Sequence, residues 1–167
     1  EYKKIWNAAK AELAIRAVLK AFGAKGFTTN FDDLGDENVE ETGHGFDQIP
    51  GLASQRLMHD GYGFGAEGDW KSACLYRTTW FMSQGLPNAG TSFLEDYTLN
   101  FDGDNTSILE SHMLEVNPDI SEEKPRLEVH FLGIGVRKTP TARLVFTTKQ
   151  GHGVTATVVD MGNRFRL

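Results

Sequence analysis

Residues 91–101, TSFLEDYTLNF, decide the fold, because the hydrophobic period of the chain changes there. Phe93, Glu95, Tyr97, Leu99 and Phe101 alternate with Asp96, Thr98 and Asn100, the two-residue period of a half-buried strand. SILESHMLEV (107–116), RLEVHFLGI (126–134), ARLVFTT (142–148) and GVTATVVDM (153–161) are likewise β-rich. Turn signals separate them, and DGDN (102–105) reads as a hairpin loop.

Upstream of residue 91 the period is helical. Ala8, Ala11, Ile15, Val18, Leu19 and Phe22 predict a helix over 4–22, stopped by Gly23. GFTTNF (26–31) reads as a buried strand, and DDLGDENVEETGHGFDQ (32–48) as an acidic surface loop. Pro50 opens a short helix that runs to about His59. GYGFGAEG (61–68), with four glycines in eight residues, reads as a loop with unusual dihedrals. Asp69 caps a helix over 70–84, which GLPNAG ends. The expectation is one compact α+β unit over 1–167. It has an α/β portion (1–90) followed by a mostly antiparallel β portion (91–167), barrel-like or a sandwich.

Composition narrows the function. A chain of 167 residues that is 40% apolar has material for an adequate core. A formal charge of −6, with no tight run of Lys and Arg, argues against nucleic acid as the main partner. No stretch approaches the roughly 20 apolar residues of a bilayer span, so no membrane partner is expected. Cys74 is the lone cysteine, which precludes an intramolecular disulfide and points to a reducing, cytoplasmic setting. Within KSACLYRTTWFM (71–82) it reads as a buried helix residue. A start at Glu1 and an end at NRFRL read as those of a fragment or processed chain.

Two acids and one histidine stand out. Alternation puts Glu95 on the apolar face of its strand. An isolated buried charge costs several kcal/mol, so a carboxylate there must be paired, protonated or metal-bound. Over 108–116, Ile108, Glu110, His112, Leu114 and Val116 share a face, so His112 leans toward the core. Adjacent strands would bring Glu95 and His112 together, with the glycine-rich run delivering Glu67. Each has an ordinary alternative: a hydrogen-bonded core histidine, a salt-bridged glutamate, and a glutamate complementing a helix dipole. The glycine-rich run lacks the GK[ST] of a phosphate-binding loop, and neither HExxH nor GxSxG occurs. His130 falls on the face opposite Leu127, Val129 and Phe131, together with Glu128, and reads as a surface or interface residue.

At these residues the sequence resembles the L-arabinose isomerases. The blocks that carry the resemblance are GFTTNFDDL, IPGLASQRLMHDGYGFGAEGDWKSA, GTSFLEDYTLNF, SHMLEVNP, EEKPRLEVHFLGIG, ARLVFTT and VVDMGNRFRL. They correspond to the end of that family's central domain and the start of its C-terminal β domain. The resemblance implies three metal ligands: Glu67 of EGDW, Glu95 of EDYT and His112 of SHMLE. It implies that Tyr97 contacts sugar hydroxyls and that Phe31 lines the pocket. It further implies a metal-dependent aldose–ketose isomerase that converts L-arabinose to L-ribulose, and D-galactose to D-tagatose, through an enediol. Glu67 and Glu95 would act as acid and base, beside Mn²⁺ or another divalent cation. The implied partners are a small-molecule sugar and further copies of the chain, in a homo-oligomer with sites near subunit interfaces. The family's N-terminal portion and its Gly-Gly-Ala-His-His tail, which carries a second histidine ligand, find no match here. A second expectation is therefore a non-catalytic sugar- or metal-binding or assembly module of the same family.

Overall fold

A computed structural model describes residues 1–30, 34, 39–133 and 139–167. Phe31 and most of the acidic stretch over 31–38 lie outside the described residues. The architecture is mixed α+β. Helix α1 (Tyr2–Phe22) ends where Gly23 turns into the left-handed region at φ 62°. Strand β1 (Gly26–Thr29) and strand β2 (Gly63–Ala66) pair in parallel. Between them lie the short α2 (Val39–Thr42) and α3 (Gly51–His59), and α4 (Trp70–Ser83) follows.

The middle of GYGFGAEG is therefore a strand rather than the loop expected of it. All four residues of β2 are buried. The glycines serve close approach here. A Cβ on Gly63 would stand 2.1 Å from the carbonyl oxygen of Ala73, and one on Gly65 would stand 2.2 Å from that of Asp69. Without side chains at these two positions, α4 lies directly against the strand backbone. Phe64 and Ala66 of β2 then share a core with Met58 and Tyr76, flanked by Phe27, Trp80 and Phe93.

Helix α4 turns Ala73 and Tyr76 inward. That orientation leaves Cys74 exposed, contrary to its reading as core. It sits on the solvent flank because the inward stripe of α4 is set by the residues that meet β2.

The second half is built from antiparallel pairs. β3 (Glu95–Asn100) pairs with β4 (Ser107–Ser111), and β5 (Arg126–Phe131) with β6 (Pro140–Val145). The two-residue β7 (Val159–Asp160) pairs with β8 (Phe165–Arg166). With the β1–β2 pair, the described strands form four two-stranded sheets, and no closed barrel occurs among them. A single 3₁₀ turn (Pro118–Ile120) follows β4.

Three departures from the alternation argument matter for the site. The β3–β4 register shifts between Asp96 and Thr98, so Tyr97 is the extra residue of a bulge. The face expected to be buried is instead open: Tyr97 is 44% exposed, Leu99 51% and Phe101 73%. Strand β4 also stops at Ser111, so His112 lies just past its end and not within it.

The two halves are joined through β6, whose edge away from β5 meets two buried glutamines. Gln55 donates from Nε2 to the carbonyls of Val116 (3.0 Å) and Leu144 (3.1 Å), and its Oε1 accepts the Leu144 N–H at 2.7 Å. Gln48 accepts the Ala142 N–H at 2.8 Å and donates to the Lys4 carbonyl at 2.8 Å. No helix among the described residues is long and apolar enough to cross a membrane.

The close approach of β2 and α4 sets a prediction. Gly63→Ala should lose most of the folding stability, because its new methyl meets backbone that cannot yield. Gly68→Ala has nothing within 4 Å of its Cβ and should cost only left-handed strain, about 1–2 kcal/mol. Urea denaturation of the two variants checks the difference.

Candidate functional site

Glu67 is the first residue beyond β2. Its N–H donates to the Thr29 carbonyl at 2.7 Å, which extends the β1–β2 ladder by one bond. The next N–H, of Gly68, donates to Thr28 Oγ1 at 2.7 Å. Between these bonds Glu67 adopts φ 55°, a conformation that few non-glycine residues take. Asp69 then caps α4, accepting the N–H groups of Lys71 and Ser72 at 3.1 Å each. Glu67 is left exposed at the carboxyl end of the parallel pair.

Glu95 opens β3 opposite Ser111, the last residue of β4, and so stands beside the point where His112 leaves the strand. The segment after β4 is pinned from several sides. A Cβ on Gly51 would stand 2.9 Å from that of Leu114, so α3 packs closely on this segment. Arg143 donates to the Met113 carbonyl at 3.0 Å, and Gln55 to that of Val116. Asn117, wholly buried, donates to Tyr76 Oη at 2.7 Å and to the Thr91 carbonyl at 2.9 Å.

Held this way, His112 is buried with carboxylates on both sides of its ring. Nε2 is 3.8 Å from Glu95 Oε1, an ion-pair distance too long for a hydrogen bond. Nδ1 is 2.8 Å from Glu115 Oε2, and the Glu115 N–H also points at Nδ1 from 3.2 Å. The ring of Phe93 stands edge-on to the imidazole, with centroids 5.1 Å apart. Burial works against the imidazolium. The hydrogen bond and charge of Glu115, and then the charges of Glu95 and Glu67, nevertheless raise the His112 pKa above the ordinary 6.5. Burial and the Glu95 charge likewise raise the Tyr97 phenol above its usual 10.

Glu95 and His112 are thus brought together, the Tyr97 phenol feels the Glu95 charge, and Glu67 lies within electrostatic reach of His112. Phe31 lies outside the described residues. His130 is exposed and bonds its strand neighbour Glu128 at 2.6 Å. Glu115 is the residue that sequence reasoning missed. In a continuous strand, positions 112 and 115 face opposite ways; they meet only because β4 ends at Ser111. A carboxylate flanked by Leu114 and Val116 was the available signal.

As they stand, no three His, Cys, Asp or Glu side chains among the described residues are grouped closely enough to hold a metal ion. The donor chemistry nonetheless suits one. No hydrogen bond joins Nε2 of His112 to another described residue. Among the described residues, no lysine or arginine forms an ion pair with Glu67, Glu95 or Glu115. Two carboxylates against one imidazole leave negative charge to be balanced.

A buried histidine with a carboxylate at each ring nitrogen thus stands on a mixed α+β scaffold. Residues 1–85 match the L-arabinose isomerase central domain, and residues 90–167 match the L-arabinose isomerase C-terminal domain. The L-arabinose isomerase of Bacteroides thetaiotaomicron is 76% identical over 166 residues, which are 99% of this chain and 32% of that protein. That of Thermotoga maritima is 54% identical over 165 residues, 99% of this chain and 31% of the relative. The chain belongs to the L-arabinose isomerase family, and it spans about a third of the length of the curated relatives it matches.

The environment of His112 carries a pH signature. Folding raises its proton affinity, so its contribution to stability is complete below the unfolded value of 6.5. It is lost as pH rises through the higher folded pKa. Chemical denaturation across neutral to alkaline pH should show this fall, and His112→Gln should remove it.

Proposed function

We propose that this chain carries the acid–base half of an aldose–ketose isomerase site, acting on L-arabinose to give L-ribulose, with D-galactose to D-tagatose as a side reaction. The observation that supports this most directly is the 3.8 Å approach of His112 Nε2 to Glu95, with Glu67 close enough for its charge to be felt. Isomerisation needs one group to take the carbon-bound proton beside the carbonyl and another to carry the hydroxyl proton. Glu67 and Glu95 are proposed to make these transfers, each typically worth 10²–10⁴-fold in rate. Tyr97 and Phe31 are proposed to bind the sugar.

Glu67, Glu95 and His112 would hold a divalent cation, Mn²⁺ by the mixture of oxygen and imidazole donors. Such an ion supplies positive charge beside the substrate oxygens on which negative charge develops. Tyr2, Trp6 and Leu13, left exposed along α1, fit assembly into a homo-oligomer, and we place the protein in the cytoplasm.

The experiment is incubation of the purified chain with Mn²⁺ and L-arabinose, followed by an assay for ketose. Ketose should form, and Glu67→Gln or Glu95→Gln should reduce turnover at least ~10²-fold with an unchanged circular dichroism spectrum. Wild-type turnover in either variant would remove that residue from the acid–base pair. Because the chain spans about a third of its relatives, a second reading is a non-catalytic metal- or sugar-binding module. Mn²⁺ binding without ketose would favour it. His112→Ala should lower the metal content retained after dialysis.

A further inference from the structure

We propose that Glu115 is a positioning residue. It accepts a hydrogen bond from Nδ1–H of His112 and so keeps the lone pair of Nε2 directed toward Glu95. This inference rests on the metal-site reading of the preceding section and adds a residue to it.

The geometry is specific. The 2.8 Å contact joins two side chains that are each only 4% exposed. Among the described residues, the Glu115 carboxylate has no lysine or arginine partner, so the imidazole is its charge-bearing neighbour. A buried carboxylate costs several kcal/mol unless well paired, and the adjacent Leu114 and Val116 show that the segment accepts apolar side chains. Packing alone therefore does not account for an acid at this position. The backbone cannot easily carry Glu115 away, because the bonds from Arg143 to Met113 and from Gln55 to Val116 hold it on both sides. The edge-on ring of Phe93 restricts rotation of the imidazole.

Two proton placements compete. With the proton on Nδ1, the ring donates to the carboxylate at 2.8 Å and Nε2 is a lone-pair donor. With the proton on Nε2, Nδ1 would accept the Glu115 N–H at 3.2 Å and the carboxylate would face a lone pair. A charge-assisted bond is the shorter and stronger kind, and the distances follow that order. A carboxylate behind a metal-ligating histidine fixes tautomer and ring orientation, and its loss typically costs 10–100-fold in metal affinity.

The test uses ¹⁵N-edited spectroscopy of the neutral His112 ring together with Mn²⁺ titration of the wild-type chain and of Glu115→Gln, a near-isosteric variant. The wild type should show Nδ1–H. The variant should show a mixture of tautomers and a Mn²⁺ dissociation constant raised about 10–100-fold. An Nε2–H ring in the wild type overturns the proposal, as does a variant that keeps both the tautomer and the affinity. If the wild type takes up no Mn²⁺, the metal reading fails, and the tautomer alone decides the role of Glu115. If Glu115→Gln does not fold, the wild-type tautomer decides it.

Discussion

The structure depends on two primary amides set against the edge of a strand. β6 is paired with β5 on one side only, and a buried strand edge without partners costs about 1–3 kcal/mol for each orphaned group. Gln48 and Gln55 take the place of the missing neighbour, with donors and acceptors spaced to meet Ala142 and Leu144. Each glutamine belongs to the helical half of the chain, and each reaches a second backbone as well: Lys4 of α1 for Gln48, and Val116 for Gln55. Two side chains thereby fix α1, α3, β6 and the segment after β4 in one frame. Ala8, Leu52 and Ala142 fill the space between them.

The site inherits its geometry from that frame. His112 belongs to no regular element, and its position is set by what grips residues 113–117. Gln55 and Arg143 bind the carbonyls, Leu114 packs on Gly51, and Asn117 closes the far end against Tyr76. Glu67 arrives from a different part of the chain, raised on the end of a buried parallel strand. The irregular segment sets the imidazole against Glu95 and Glu115, and the strand end brings Glu67 within electrostatic reach of it.

Much of this was legible in the residues. The helices over 4–22, 50–59 and 70–84 followed from apolar spacing and stop signals, and the change to antiparallel pairs after residue 91 followed from alternation. What the sequence concealed has physical causes. Four glycines in eight residues read as a loop, because a local reading cannot see the helix that lies across Gly63 and Gly65. The bulge at Tyr97 broke an alternation that treated 93–101 as uninterrupted. Cys74 was placed inside on composition, whereas the orientation of α4 is dictated by Ala73 and Tyr76. Glu115 was missed because strand geometry separates it from His112, and the strand ends one residue before the pair begins.

The backbone at Glu67 has an evolutionary consequence. A non-glycine residue at φ 55° stores about 1–2 kcal/mol of conformational strain that glycine or asparagine would largely relieve. A lineage selected for thermal tolerance alone would drift away from glutamate there. A glutamate held there trades stability for whatever its carboxylate does, and if that is the acid–base work proposed above, a search for hardier variants should leave the residue alone.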